Sequence, residues 1–418
     1  MIKVSFQKIG LFLLYLYIFF SYVAQDIIFP SKLNTLFLYC FLIWGVLEVF
    51  ITKRIEISTY SKWYLLFFLY SMFLVLYSPK IEFFANDEMY LILVTFILTY
   101  TISLVIKDFE AFKGVCWCFS ISSIVFVGIL YFTGNLVATQ SNRLGGDIVG
   151  NANTFSSMLM VAVMCTIWLL IYNTKGNFIL KIILSIILVC NEYAMLLSGG
   201  RKFIIIPIIF LYILLLLKKD SSGRTKVLKY TIIICVIIFI LYNLMMNIPE
   251  FYDIIGYRMQ GLINSITGNG KVDGSAQIRH VMKVLAIERW KYSPLWGFGF
   301  DSFKFYNQSV TGHFYYSHCN YTELLYNGGI IYFLMYYFLF IICFKKIWKY
   351  RKKMNTKYLA FSFATLLCVI IFEYGAVTYN LTNIHIMLCL ASKLLEIRKE
   401  ENNVVKESKY IFKIVNQR

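Results

Sequence analysis

Residues Trp296–Ile330 read WGFGFDSFKFYNQSVTGHFYYSHCNYTELLYNGGI and run directly into IYFLMYYFLFIICF, ending at Phe344. The first part is polar and aromatic. It carries the glycine pair Gly297 and Gly299, the histidines His313 and His318, the cluster His318, Asn320 and Glu323, and the turn Gly328-Gly329. The second part is wholly apolar, and with the end of the first it makes a run, 319–344, long enough for the roughly 17–25 residues a helix needs to cross a hydrocarbon core of about 30 Å. A polar segment that turns into a membrane span decides the reading: an all-α integral membrane protein with its chemistry at one membrane surface.

Working outward, the same apolar signal recurs along the chain. Of 418 residues 59% are hydrophobic and 15% charged, and mean hydropathy is +0.68. A soluble domain carries about a quarter charged residues. Lipid leaves backbone groups to be satisfied internally, and the runs lack the alternation of a barrel, so the spans are helices. Spans are expected at 9–25, 33–51, 63–78, 89–106, 114–132, 154–172, 178–197, 203–217, 227–246, 319–344, 358–374 and 382–396. That is a bundle of about twelve helices in a single membrane domain, 1–418. The first run has a basic start, Lys3 and Lys8, but no small-residue cleavage site, so it reads as a retained span.

The net charge of +18 is not a nucleic-acid footprint. Its lysines and arginines cluster in alternate short loops: Lys53, Arg54 and Lys62; Lys218, Lys219, Arg224, Lys226 and Lys229; Lys345 through Lys357; and the tail 397–418. That is the positive-inside pattern, and it places both termini and the basic tail in the cytoplasm. The opposite loops, such as Ser78–Glu88 with Glu82, Asp87 and Glu88, lack the excess. Ten cysteines are scattered, mostly within apolar runs, with no zinc-ligand spacing; neither a disulfide, a structural metal nor a cofactor is expected.

Two segments on the non-cytoplasmic side are long: 134–153, and the large extracytoplasmic loop 247–317. Within the latter, Ser275–Lys291 has apolar residues at helical spacing and reads as an amphipathic helix near the membrane surface, capped by Ser275 and ended by Ser293-Pro294. The face holding Arg279, Lys283 and Lys291 can point into a cavity or out into water. Gly297-Phe-Gly299 has no βαβ context and reads as a tight turn. Asn320-Tyr-Thr322 and Asn380-Leu-Thr382 match glycosylation acceptors, a pattern common by chance.

Several polar residues need a reason. Asn153 opens a span and is a natural N-cap; a helix N-terminus with Arg143 beside it can grip an anion, whereas a plain cap and a solvated arginine are the bland alternative. Ser198-Gly-Gly-Arg201-Lys202 leaves too little chain between spans for a roomy loop, so the basic pair lies at the interface and calls for an anion, unless it snorkels to headgroups. His318 can take a proton from a hydroxyl, and Asn320 can orient a sugar hydroxyl. Glu323 shares a face with Asn320 and can pair with Arg201 or fix the tautomer of His318. His385, in the last span, reads as a packing or hydrogen-bonding residue.

Taken in order, these blocks resemble the O-antigen ligase/polymerase superfamily of bacterial membrane glycosyltransferases. Arg143 through Asn153 is similar to its arginine, glycine and asparagine-pair block. Ser198-Gly-Gly-Arg201 is similar to its Ser-Arg block, with two glycines inserted. Arg279 followed by Pro294-Leu-Trp-Gly297-Phe-Gly299 is similar to its arginine, proline and glycine-pair block. His318-Cys-Asn320-Tyr-Thr-Glu323 and Gly328-Gly329-Ile330 are similar to its His-Asn, Glu and Gly block, with Cys319 inserted. The resemblance covers the C-terminal two-thirds of the chain. It implies metal-independent glycosyl transfer from a polyprenyl-diphosphate-linked glycan to a sugar hydroxyl, on the outer face of the bacterial cytoplasmic membrane. Arg143, Arg201 and Arg279 would hold the diphosphate, with Asn153 beside them. His318 would be the base or orienter, supported by Glu323 and Asn320. The partners implied are the lipid-linked oligosaccharide donor and acceptor, membrane lipid and a chain-length regulator protein, and no nucleic acid. Polymerisation of capsule or O-antigen repeats is the favoured role. A ligase differing in acceptor is the nearest alternative. A lipid-linked sugar flippase is another, though transporters tend to show paired halves and mid-membrane broken helices.

Overall fold

The computed structural model describes residues 2–25, 30–79, 87–139, 143–218, 224–267, 274–352 and 356–397. The expected basic tail from 398 onward, Glu82, Lys219 and Lys353 lie outside the described residues. The described residues are all-helical, without a strand. In chain order the helices are α1 Ile2–Val23, α2 Lys32–Thr52, α3 Thr59–Val75, α4 Asp87–Val105, α5 Phe109–Phe132, α6 Gly146–Val149, α7 Ala152–Tyr172, α8 Phe178–Leu197, α9 Arg201–Leu217 and α10 Arg224–Asn247. Then come α11 Pro249–Phe251, a π-helical turn Tyr252–Gly256, α12 Tyr257–Thr267, α13 Gly274–Trp290, α14 Phe303–Thr311, α15 Asn320–Tyr350, α16 Thr356–Glu373, and α17 over residues 382–397.

Among the described residues, nine helices are long and apolar enough to cross a membrane. The three other expected spans are the shorter helices α3 and α9, of 17 residues each, and α17. Several starts fall earlier than hydropathy places them, because a polar cap rather than the first apolar residue sets the boundary. Ser58 accepts the Ser61 amide at 3.1 Å and Asp108 accepts the Ala111 amide at 2.7 Å, starting α3 and α5 ahead of their apolar runs.

α7 is the hub. It packs against α5, α8 and α9, and 83% of its most apolar stretch is buried. α10 lies on the rim, with only 6% of the corresponding stretch buried. Both are apolar all round, so composition cannot separate a helix surrounded by protein from one surrounded by lipid.

α15 is broken at Gly328 and Gly329, the latter with φ +65°. A Cβ on Gly329 would sit 2.2 Å from the Leu295 carbonyl oxygen, so a side chain there collides with backbone. Into this break fits the loop after α13. The amides of Phe298 and Gly299 donate to the carbonyls of Tyr326 and Asn327 at 2.9 and 2.8 Å, and Ile330 donates to Pro294 at 2.9 Å. Gly297, with φ +69°, lets that loop pass within contact of Tyr326. The two glycine pairs are therefore one device, in which the loop repays the hydrogen bonds the broken helix gives up. α13 is anchored nearby, its Met282 and Ala286 packed with Phe303 and Tyr326. The helix begins at Gly274, so Ser275 sits inside its first turn instead of capping it.

Candidate active site at one end of the bundle

The starts of α7, α9 and α17, the end of α16, helix α13 and the loop before α15 meet at one end of the bundle. They enclose a cavity of about 360 Å³. Asn153, Lys202, Arg279, Tyr316 and His318 line it, together with Asn380 and Asn383.

Asn151 is the N-cap of α7, its Oδ1 accepting the Asn153 amide at 2.7 Å, which corrects the expectation that Asn153 caps the helix. Asn153 is thereby freed to present its own side chain. The Arg143 Nη2 donates to Asn153 Oδ1 at 3.3 Å, and its Nε donates to the Ser198 carbonyl at 2.6 Å. The two glycines splitting the Ser-Arg block have a steric reason. A Cβ on Gly199, whose φ is +67°, would meet the Ile254 carbonyl at 3.1 Å and Arg143 Nε at 3.4 Å. Burial, then the charges of Arg258 and Arg279, lower the Arg143 pKa to about 10, which leaves it cationic at neutral pH.

Arg201 does not line this cavity; its Nη1 donates to the Arg258 carbonyl at 2.6 Å, and it contributes its charge from behind Arg143. Its neighbour Lys202 takes the forward place, its Nζ donating to the Gly375 carbonyl at 2.7 Å and lying 4.8 Å from the Phe372 ring centre. Arg279 lines the cavity from α13, so its face looks inward. Lys283, one turn on, lies over the Tyr374 ring at 4.0 Å, while Lys291 remains on the exposed side, paired with Glu288 at 2.6 Å.

His318 and Asn320 part company. His318 adopts a left-handed backbone (φ +57°), a conformation histidine tolerates better than most side chains. It lines the cavity with its ring 4.4 Å from that of Tyr316. Burial, then Arg279, Lys202 and Lys283, lower its pKa to about 3. The imidazole is therefore neutral at pH 7 and able to accept a proton.

Asn320 turns into the protein. Its Oδ1 accepts the amides of Thr378 and Tyr379 at 3.0 and 3.2 Å, and its Nδ2 donates to the Tyr337 hydroxyl at 3.3 Å. Glu323, 1% exposed, reaches back to accept the Ser317 amide at 2.7 Å and also accepts Asn327 Nδ2 at 3.4 Å. The expected contacts of Glu323 with Arg201 or His318 give way to these. The N-cap Cys319 offers no side-chain cap bond, so Glu323 serves the loop backbone instead. Sharing a helix face with Asn320 placed both in the interior and neither in the cavity. The inserted Cys319 is what lets His318 face one way and Asn320 the other. His385 is a buried hydrogen-bonding residue, as expected, between the Tyr60 hydroxyl at 2.8 Å and the Tyr379 carbonyl at 2.9 Å.

Sequence reading did not assign Arg258, Tyr316 or the residues 380–383 to the site, and it left open whether Lys283 faces a cavity. Glu373 was also missed. Fully buried, it accepts the hydroxyls of Tyr336, Tyr337 and Thr378 at 2.8, 2.6 and 2.6 Å, tying down the turn that follows α16.

A family model described as O-antigen ligase matches residues 184–337. The match takes in Ser198–Arg201, Arg279 and His318–Glu323, while Arg143 and Asn153 precede it. No curated protein matches the chain. With the helical membrane fold and the four ordered blocks, the match supports the resemblance to the O-antigen ligase/polymerase superfamily, whose members are glycosyltransferase-like enzymes.

Proposed function

We propose that the protein polymerises lipid-linked oligosaccharide repeat units, of capsule or O-antigen type, at the outer face of the bacterial cytoplasmic membrane. The observation that carries this reading is the convergence of Lys202, Arg279 and His318 on one cavity, with Arg143 bonded to a fourth lining residue, Asn153. A glycosyl donor on a polyprenyl diphosphate presents two negative charges at membrane level. Fixed cations at a helix start suit that group without a metal ion. In the reaction, an acceptor hydroxyl oxygen bonds to the anomeric carbon of the donor sugar as the carbon–oxygen bond to the diphosphate breaks. The electron pair leaves with the polyprenyl diphosphate, whose charge the cations stabilise, and the hydroxyl proton passes to His318. Bound diphosphate offsets the positive surroundings of His318 and so strengthens it as a base when the donor is in place. Arg201 supports the field around Arg143. Asn320 and Glu323 act as positioning residues, holding the chain on either side of His318.

The test is transfer by purified protein from lipid-linked oligosaccharide extracted from the source strain. Arg279→Ala and His318→Ala, each checked for native helix content, are expected to lose about 100-fold or more in rate. Full activity in either variant would overturn the assignment.

A further inference from the structure

The cavity has a second wall of different chemistry. Opposite in character to the cations are neutral amides and hydroxyls: Thr154 and Ser157 from α7, and Asn380, Thr382 and Asn383 at the start of α17. Thr154 and Ser157 are three residues apart on one helix face. The Ser157 hydroxyl is buried, its residue 4% exposed, and has no hydrogen-bond partner among the described residues. A buried unpaired hydroxyl costs about 1–3 kcal/mol, a cost that a hydrogen bond to a ligand in the cavity would remove. The Asn380 amide is held by Glu88 of α4, and the Thr382 hydroxyl by Thr95 at 2.7 Å, so this wall is fixed from the α4 side.

Resting on the transferase reading, we propose that this wall is a sugar-hydroxyl subsite, in which Ser157, Asn380 and Asn383 hydrogen-bond glycan hydroxyls while the cationic wall takes the diphosphate. Neutral groups that both donate and accept match hydroxyls, which do the same; they add nothing to the grip on an anion. The division predicts that the two walls fail independently.

Ser157→Ala and Asn383→Ala test it with three measurements on full-length protein. Binding of undecaprenyl diphosphate, which carries no sugar, is expected to stay within about twofold of wild type. In transfer assays, the KM for repeat-unit oligosaccharide freed of its lipid by mild acid, and the KM for the intact lipid-linked donor, are measured separately. A rise of about tenfold in either supports the subsite. A rise in the first assigns the wall to the acceptor, and a rise in the second assigns it to the donor glycan. Unchanged KM values in both variants, or a parallel loss of undecaprenyl diphosphate binding, would overturn the proposal. Wild-type protein that neither binds undecaprenyl diphosphate nor transfers sugar would instead defeat the transferase reading, and this one with it.

Discussion

His318 and Asn320 are two residues apart, yet they belong to two different polar assemblies. Around Asn320, Glu323 and Glu373, polar atoms are used up inside the protein: backbone amides, tyrosine and threonine hydroxyls close each network. Around His318, the hydrogen bonds of Arg143 and Lys202 go to neutral oxygens, the Ser198 and Gly375 carbonyls and the Asn153 amide. Among the described residues neither has a carboxylate within ion-pair distance. Carbonyls orient a cation without neutralising it, so Arg143 keeps its positive charge beside the cavity, while burial and then the charges of Arg279 and Arg143 lower the Lys202 pKa to about 7. The first assembly closes on itself, and the second is the one that the proposed function assigns to an anion.

Substitutions separate the two. The largest effects are expected on rate: Arg279→Ala and His318→Ala should cut transfer about 100-fold with little change in melting temperature. In the closed assembly the order reverses. Asn320→Ala orphans the Thr378 and Tyr379 amides and is expected to destabilise the protein by about 1–3 kcal/mol, read as a lowered melting temperature in detergent. Gly329→Ala is expected to act likewise, because φ +65° and the Leu295 carbonyl both oppose a side chain. A melting temperature unchanged in both would remove the distinction.

The pH dependence sharpens it further. With the folded His318 pKa lowered to about 3 and its ordinary value at 6.5, protonation favours the unfolded chain as pH falls below 6.5. The sign is thus a loss of stability on acidification, absent above that pH. The groups facing the ring are Arg279, Lys202, Lys283 and Tyr316. His318→Gln is expected to flatten part of the stability loss between about pH 6.5 and 4. kcat/KM is expected to show no break at the ordinary histidine value, and a break there would mean the ring is solvated. The smallest effect belongs to the rim. Leu228→Ala on exposed α10 is expected to leave rate unchanged and stability within about 0.5 kcal/mol.

Most of the helices were legible because an apolar run long enough to span lipid has to satisfy its own backbone, and a helix does so within the run itself. Their starts were less so, since Ser58 and Asp108 cap from outside the apolar pattern. At the site, Arg143, Arg279 and His318 stood out as cations or imidazole where a membrane chain has few. Asn320 and Glu323 stood out for the same reason, and spacing correctly put them on one face. Which face looks into the cavity depends on the φ of His318 and on the turn after α16, neither of which leaves a local trace. Residues 380–383 reach the site through the packing of α17 and the turn before it against α4, which no motif encodes.

The most direct measurement is equilibrium binding of undecaprenyl diphosphate to the purified protein and to Arg279→Ala. Retained cationic charge at the cavity predicts affinity at least about tenfold weaker in the variant. Equal affinity in the two proteins would contradict the claim that these cations hold the lipid diphosphate.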